Sequence, residues 1–194
     1  MSAVAGPRAE ASRRIREAIV AATVRIVARE GIAAVTHRRV ATEAGVALSS
    51  TTWHFASKAE ILEAALRWTA DSEVERIGAI ADRLGDRPFD PSAWAGELGD
   101  WLVEQVTSER ETAVALYRLQ VGLLGSPGAL AVHREWGRRL RAVGSRVLAP
   151  TADLDVRLIV AALDGLRMSA LNSGEPDVEW LRLAVQRQLH SLLG

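Results

Sequence analysis

The chain has 194 residues with 24 basic and 24 acidic side chains, so its formal net charge is zero, and its 48% hydrophobic content suffices for one large or two small cores. It has no cysteine, which excludes disulfides, thiolate catalysis and cysteine-ligated metals and fits a reducing cytoplasm. No apolar run approaches the roughly 20 residues needed to span a bilayer, and the N-terminus has no continuous apolar segment like that of a secretion signal, so a soluble, cytoplasmic protein with no membrane partner is expected.

The zero net charge conceals a division. Residues 1–60 hold nine cations (Arg8, Arg13, Arg14, Arg16, Arg25, Arg29, Arg38, Arg39, Lys58) against five acids (Glu10, Glu17, Glu30, Glu43, Glu60), a surplus of +4 that leaves −4 for the remainder. A basic DNA-reading head on a neutral-to-acidic body would show this asymmetry, although chance alone also produces splits of this size.

Residues 1–11 are poor in apolar side chains and contain Gly6-Pro7, which predicts a disordered arm; its Arg8, with Arg13 and Arg14 beyond it, either reaches phosphates or is simply solvated. From Ser12 to Glu30, the residues Ile15, Ala18, Ile19, Ala22 and Ile26 form one helical stripe that Gly31 ends. Thr36 caps a second helix in which Val40, Ala41 and Ala44 share a face, and Gly45 supplies the left-handed turn after it. A third helix, Leu48 to Trp53, carries Ser49, Ser50, Thr51 and Thr52. Packing alone does not explain so many short hydroxyls of mediocre helix propensity on one element, but they let a helix approach a groove closely and bond phosphates or base edges. Phe55 returns to the core, and Ser57-Lys58-Ala59-Glu60 is a capping box; Lys58, in the first turn, opposes the macrodipole and suggests an anion nearby.

These residues resemble the DNA-binding domain of the TetR (tetracycline-repressor) family of bacterial transcriptional regulators. The family pattern is matched by Thr36, Val40-Ala41, Ala44-Gly45-Val46, His54-Phe55 and Ser57-Lys58. Ala47 stands where the family commonly has a capping serine, and Thr52 where it usually has a phosphate-contacting tyrosine, a role that Trp53 can share. The resemblance implies an all-α chain of about nine helices: a disordered arm (1–11), a three-helix helix-turn-helix DNA-binding domain (12–56) and a helical effector-binding and dimerisation domain (57–194). It further implies a repressor, released from a palindromic operator by a small apolar or aromatic effector. Its partners would be double-stranded operator DNA, the effector and a second copy of the chain. Ser49, Ser50, Thr51 and Trp53 are then expected nearest base edges, and Thr36, Arg38, Arg39, Thr52 and Lys58 nearest phosphates. His54 closes the reading helix against its neighbours or contacts a phosphate.

Beyond Ser57 the helical pattern runs through Ile61, Leu62, Ala65, Leu66, Val74, Ile77 and Ile80 to Leu84, a long connector able to transmit a ligand-driven tilt. Asp90-Pro91 opens a helix to Val106, another spans Glu109 to Leu124, and Ser126-Pro127 opens one to Leu148. The effector pocket is expected between the connector and these three. Pro150 breaks the last, and Asp153 caps a successor carrying Val156, Ile159, Leu163, Leu166 and Ala170; Gly165 among them predicts a close helix crossing. The final helix carries Leu181, Val185, Leu189 and Leu192. These two seams form either a four-helix interface between subunits or an ordinary intramolecular pair, and the resemblance favours the former.

The chain has six tryptophans against one tyrosine and two phenylalanines. Trp68, Trp94, Trp101 and Trp136 fall where the family forms its effector pocket, although plain core packing explains any one of them better than ligand contact. Tyr117, Gln120, Arg167 and Asn172 offer polar handles. His37, His54, His133 and His190 lack metal-ligand spacing, and no phosphate loop or nucleophile elbow appears, so neither an enzyme nor a cofactor or metal is expected. The alternative from another class is an effector-binding or interaction protein whose DNA-binding head has weakened.

Overall fold

The computed structural model describes residues 6–85, 89–148 and 153–193. Among them are nine α-helices and no strand: α1 (Pro7–Glu30), α2 (His37–Ala44), α3 (Leu48–His54), α4 (Lys58–Leu84), α5 (Pro91–Val106), α6 (Arg110–Gly122), α7 (Pro127–Val147), α8 (Asp153–Asn172) and α9 (Val178–Leu193). Their contacts form two units. One joins the described residues through Thr69 with residues 114–132, and the other joins residues 70–113 with those from 133 onward. The contacts thus do not follow a sequential division at residue 57.

In the first unit α1 begins at Pro7, not at Ser12. Proline presets the helical backbone at a first position, and the Gly6 carbonyl accepts the free N–H groups of Ala9 and Glu10. The predicted arm is therefore helical from residue 7, and residues 1–5 lie outside the described part. Thr36 caps α2 by accepting from the Arg39 N–H at 3.1 Å, and Gly45 makes the left-handed turn at φ 67°, ψ 31°. The core collects Ile19, Ile26, Val40, Phe55, Ile61 and Leu66, all at most 2% exposed. Two guanidiniums of α1 tie α2 down, since the Glu43 carboxylate accepts from Arg25 at 2.8 Å and from Arg29 at 2.7 Å. Residues 114–132 complete this unit. Arg118 donates to the carbonyls of Val27 and Ala28 at 3.0 and 2.8 Å, in the last turn of α1, where the Val27 carbonyl also accepts from the Gly31 N–H.

In the second unit α9 lies along α5. Leu98, Leu102 and Val106 of α5 and Leu181, Val185 and Leu189 of α9 are all at most 4% exposed, and a Cβ on Gly99 would meet the stem of Arg182 at 3.6 Å. This pairing corrects the predicted dimer seam. Val156, Leu163, Ala170, Leu181, Val185 and Leu189 are buried within the chain itself, while Ile159, Leu166 and Leu192 are half-buried. The apolar side chains left outside are others: Leu154, Leu158 and Met168 of α8, and Trp180 and Leu183 of α9. Among the described residues nothing lies within 4 Å of a Cβ built on Gly165, so the predicted close crossing is not made there by any of them. Pro150 and the side chain of Asp153 lie outside the described part.

Hydrogen bonds from Arg25 and Arg29 are the chief cause holding the Glu43 carboxyl below its usual value of 4.5. Its stabilising contribution is therefore present above that value and is lost as pH falls through the lower folded one. Glu43→Gln is expected to lower the melting temperature by a few degrees near neutral pH and to lose that effect progressively as the medium is acidified below the ordinary carboxylate value of 4.5, which thermal melts across this range will check.

Candidate DNA-reading surface and effector cavity

The seven residues of α3 divide cleanly by exposure. Ser49, Thr52 and Trp53 face outward, Trp53 at 75% exposure, and Ser50 is half-buried. Thr51 is not exposed at all; its hydroxyl donates to the Leu48 carbonyl at 2.8 Å. The expected base contact at Thr51 is thus corrected: a short helix must bury one face to stay anchored, and Thr51 is on that face. The Thr52 hydroxyl donates to the Ser49 carbonyl at 3.1 Å. Because α1 starts early, Arg8 and Ser12 are brought to a cleft that Ser49, Ser50, Trp53 and His54 also line.

The surrounding cations differ in how free they are. Arg38 is exposed with no side-chain partner among the described residues, whereas Arg39 pairs with Glu30 at 2.6 Å and Lys58 donates to the Ala33 carbonyl at 3.2 Å. Thr36 is exposed and committed to its cap. Burial, reinforced by the nearby charge of Arg16, holds the His54 imidazole below its usual range, so it stays neutral at neutral pH and contributes packing more than charge. Arg16 itself stacks on Phe55, 4.5 Å from the ring centre.

The second unit encloses an apolar cavity of about 80 Å³. Its walls are Glu73 and Ile77 of α4, Phe89, Trp94, Leu98 and Trp101 on and before α5, Leu140, Val143, Gly144 and Val147 of α7, Val156, Ile159, Val160, Leu163 and Asp164 of α8, and Leu189 of α9. Of the predicted ligand residues, Trp94 and Trp101 line it. Trp136, Arg167 and Asn172 do not, and Trp68, Tyr117 and Gln120 belong to the first unit. Trp136 is core, 7% exposed and stacked on His133. No α6 residue lines the cavity, whereas α8 supplies a wall, because α8 approaches α7 closely enough that a Cβ on Gly144 would meet Val156 at 2.5 Å. Trp101 keeps an indole N–H without a hydrogen-bond partner among the described residues.

Two carboxylates interrupt these apolar walls, and sequence reading missed both. Glu73 and Asp164 share the guanidinium of Arg167, at 3.3 Å and 2.5 Å. Arg167 is 1% exposed and lies 5.6 Å from the Trp101 ring centre. A signal was available: Glu73 falls in register with the buried Leu66, Thr69, Ala70 and Val74, so an acid occupies the core-facing stripe of α4. Burial is the main cause raising the Glu73 carboxyl to about 7, partly offset by Arg167 and reinforced by Asp164. The folded chain therefore keeps this proton to near pH 7 while the unfolded chain releases it near 4.5, so ionisation costs stability increasingly across that interval. Glu73→Gln is expected to raise the melting temperature above neutral pH by roughly 5 °C and to give no gain below about pH 4, as calorimetry at both ends will show.

Two family models match the chain, that for bacterial regulatory proteins of the tetR family over residues 19–65 and that for the tetracyclin repressor-like C-terminal domain over residues 89–194. Among solved structures, the multidrug binding protein EbrR complexed with imidazole is 34% identical, with 89% of this chain and 93% of that one covered at a TM-score of 0.68. EbrR complexed with ethidium matches at 32% identity over 90% of this chain and 98% of that one, TM-score 0.66, and EbrR is also known with proflavin and malachite green. A TetR-family member from Streptomyces coelicolor A3 is 32% identical, covering 90% of this chain and 97% of that one, TM-score 0.69. No curated protein matches the chain. With both halves matched and relatives above 30% identity along nearly the whole length, the chain belongs to the TetR family of non-enzymatic, DNA-binding transcriptional regulators.

Proposed function

We propose that the protein is a homodimeric repressor that leaves a palindromic operator when a lipophilic aromatic cation enters its cavity. The DNA half of this reading is carried by α3, whose outward side chains are short hydroxyls and one exposed indole, flanked by the unengaged Arg38. Phosphate contacts position such a helix and base contacts specify its site. Ser49 and Trp53 take the base edges, while Arg38, Lys58 and Arg8 take phosphates.

The effector half rests on the cavity. Apolar walls, two indoles and two carboxylates suit a molecule that is flat, greasy and positively charged. Ethidium, proflavin and malachite green, three of the molecules with which EbrR is complexed, are aromatic cations. The cavity volume, about 80 Å³, is below the ~300–1,000 Å³ common for ligand sites, so a dye-sized molecule enters only as the surrounding side chains and helices part. That requirement supports an effector-linked change of conformation.

For the dimer, the stripe Leu154, Leu158, Gly165 and Met168 on α8 and the residues Trp180 and Leu183 on α9 are the exposed apolar surface that a second copy would cover. Two heads would then meet half-sites about 34–36 Å apart or a multiple of it.

Binding to DNA upstream of the protein's own gene tests the whole reading, with tetraphenylphosphonium as a cation that does not intercalate. The cation is expected to weaken operator binding by about 5- to 150-fold, and operator DNA to weaken the cation equally. Tight cation binding that leaves the operator untouched would disprove the coupling, and salt-sensitive binding without sequence preference would favour the weakened-head alternative. Sedimentation separates the surfaces: Leu158→Glu and Leu183→Glu are expected to give folded monomers, whereas Leu163→Glu, at a buried site, should unfold the chain. A dimer that survives both exposed substitutions would refute this interface.

A further inference from the structure

We propose that Trp53 is the specificity-determining residue of the reading helix and that it recognises thymine by its C5-methyl group. This inference rests on the DNA half of the proposed function and deepens it. The side chains that read a base pair through paired hydrogen bonds are arginine, lysine, asparagine and glutamine, with aspartate and glutamate accepting from cytosine. α3, Leu-Ser-Ser-Thr-Thr-Trp-His, has none of them. Its hydroxyls discriminate poorly, because a serine or threonine oxygen both donates and accepts and so suits either kind of base edge. Thr51 is buried besides, and the Thr52 O–H is committed to the Ser49 carbonyl at 3.1 Å. Arg8 and Arg38 flank the helix from α1 and α2 and serve phosphates in the proposed complex. The mark left for α3 to read in the major groove is the thymine methyl, which is apolar and needs an apolar surface to meet it.

Trp53 offers that surface. It is 75% exposed, against 44% for Leu48, the other exposed apolar residue of α3, at the opposite end of the helix. Its ring stands edge-on to His54, with centroids 4.6 Å apart and planes at 86°, and His54 in turn contacts the ring of Phe55, which is 2% exposed. A surface indole braced through a second ring on the core loses less freedom on binding than an unrestrained side chain would.

A palindrome selected by the full-length protein from random duplexes serves as the probe. Each of its thymines is then replaced by deoxyuridine, which lacks only the methyl group and keeps every hydrogen-bonding atom. At one thymine per half-site, uridine is expected to weaken wild-type binding about fourfold, and about tenfold or more when placed in both half-sites. Trp53→Ala should bind thymine and uridine duplexes equally. Trp53→Phe, which keeps an apolar ring without an N–H, and Leu48→Ala should both retain the preference. Equal wild-type binding of thymine and uridine at every position would overturn the proposal while leaving sequence-specific repression standing. A Trp53→Ala protein that still prefers thymine would overturn it too, as would one that weakens on all duplexes with the preference intact, the mark of a phosphate contact through the indole N–H. Should Trp53→Ala not fold, the wild-type uridine series and Trp53→Phe decide, and loss of the preference in Trp53→Phe would overturn the proposal. Failure to select any sequence would remove the DNA-reading function and this inference with it.

Discussion

A seven-residue helix in which four residues are serine or threonine cannot hold itself together, because a first turn costs more to nucleate than so short a run returns. α3 depends on what surrounds it. Thr51 and Phe55 are buried, Gly45 turns the chain in the left-handed conformation only glycine adopts freely, and Glu43 is clamped to α1 by Arg25 and Arg29. Anchoring through one buried face leaves Ser49, Thr52 and Trp53 without a structural duty, which is the condition for contact with another molecule. The same clamp uses up two of the head's basic residues and Glu30 takes a third, so the usable positive charge is smaller and more localised than a count of arginines implies.

The cavity shows the opposite economy. Its walls are almost wholly apolar, and the few charges near it are gathered into one cluster around a fully buried guanidinium. Burying Arg167 and Glu73 is tolerated because they pair with each other and Arg167 also lies over an indole, while Asp164, its side chain 36% exposed, reaches the same guanidinium from a partly wet position. The raised Glu73 carboxyl records what remains of that desolvation cost. Two carboxylates thus stand among otherwise apolar walls, and α7 and α8 approach each other closely at Gly144 and Val156.

Local signals were read well from the sequence because they act locally. The Thr36 cap, the Gly45 turn, the Ser57 to Glu60 capping geometry, the Asp90 and Ser126 starts and the position of α3 all involve residues within four places of one another. What went unread involved distant partners. The 3.6-residue stripe of α9 correctly marked Leu181, Val185 and Leu189 as buried, but not that α5, far earlier in the chain, covers them. The same ambiguity placed Thr51 on the outward face of α3, since a hydroxyl side chain fits either side of a short helix.

The sequence by itself determined the helical content, the boundaries of most elements and the family to which the head belongs, since caps, glycine turns and periodicity are properties of neighbouring residues. Only the tertiary structure decided which acid faces which base, that Arg118 would secure the end of α1, that Glu73 and Asp164 rather than Tyr117 or Gln120 would give the cavity its polarity, and which apolar side chains stay outside. Periodicity reports that a face is buried and is silent about what buries it; that choice is made when chain segments many residues apart compete for the same surface.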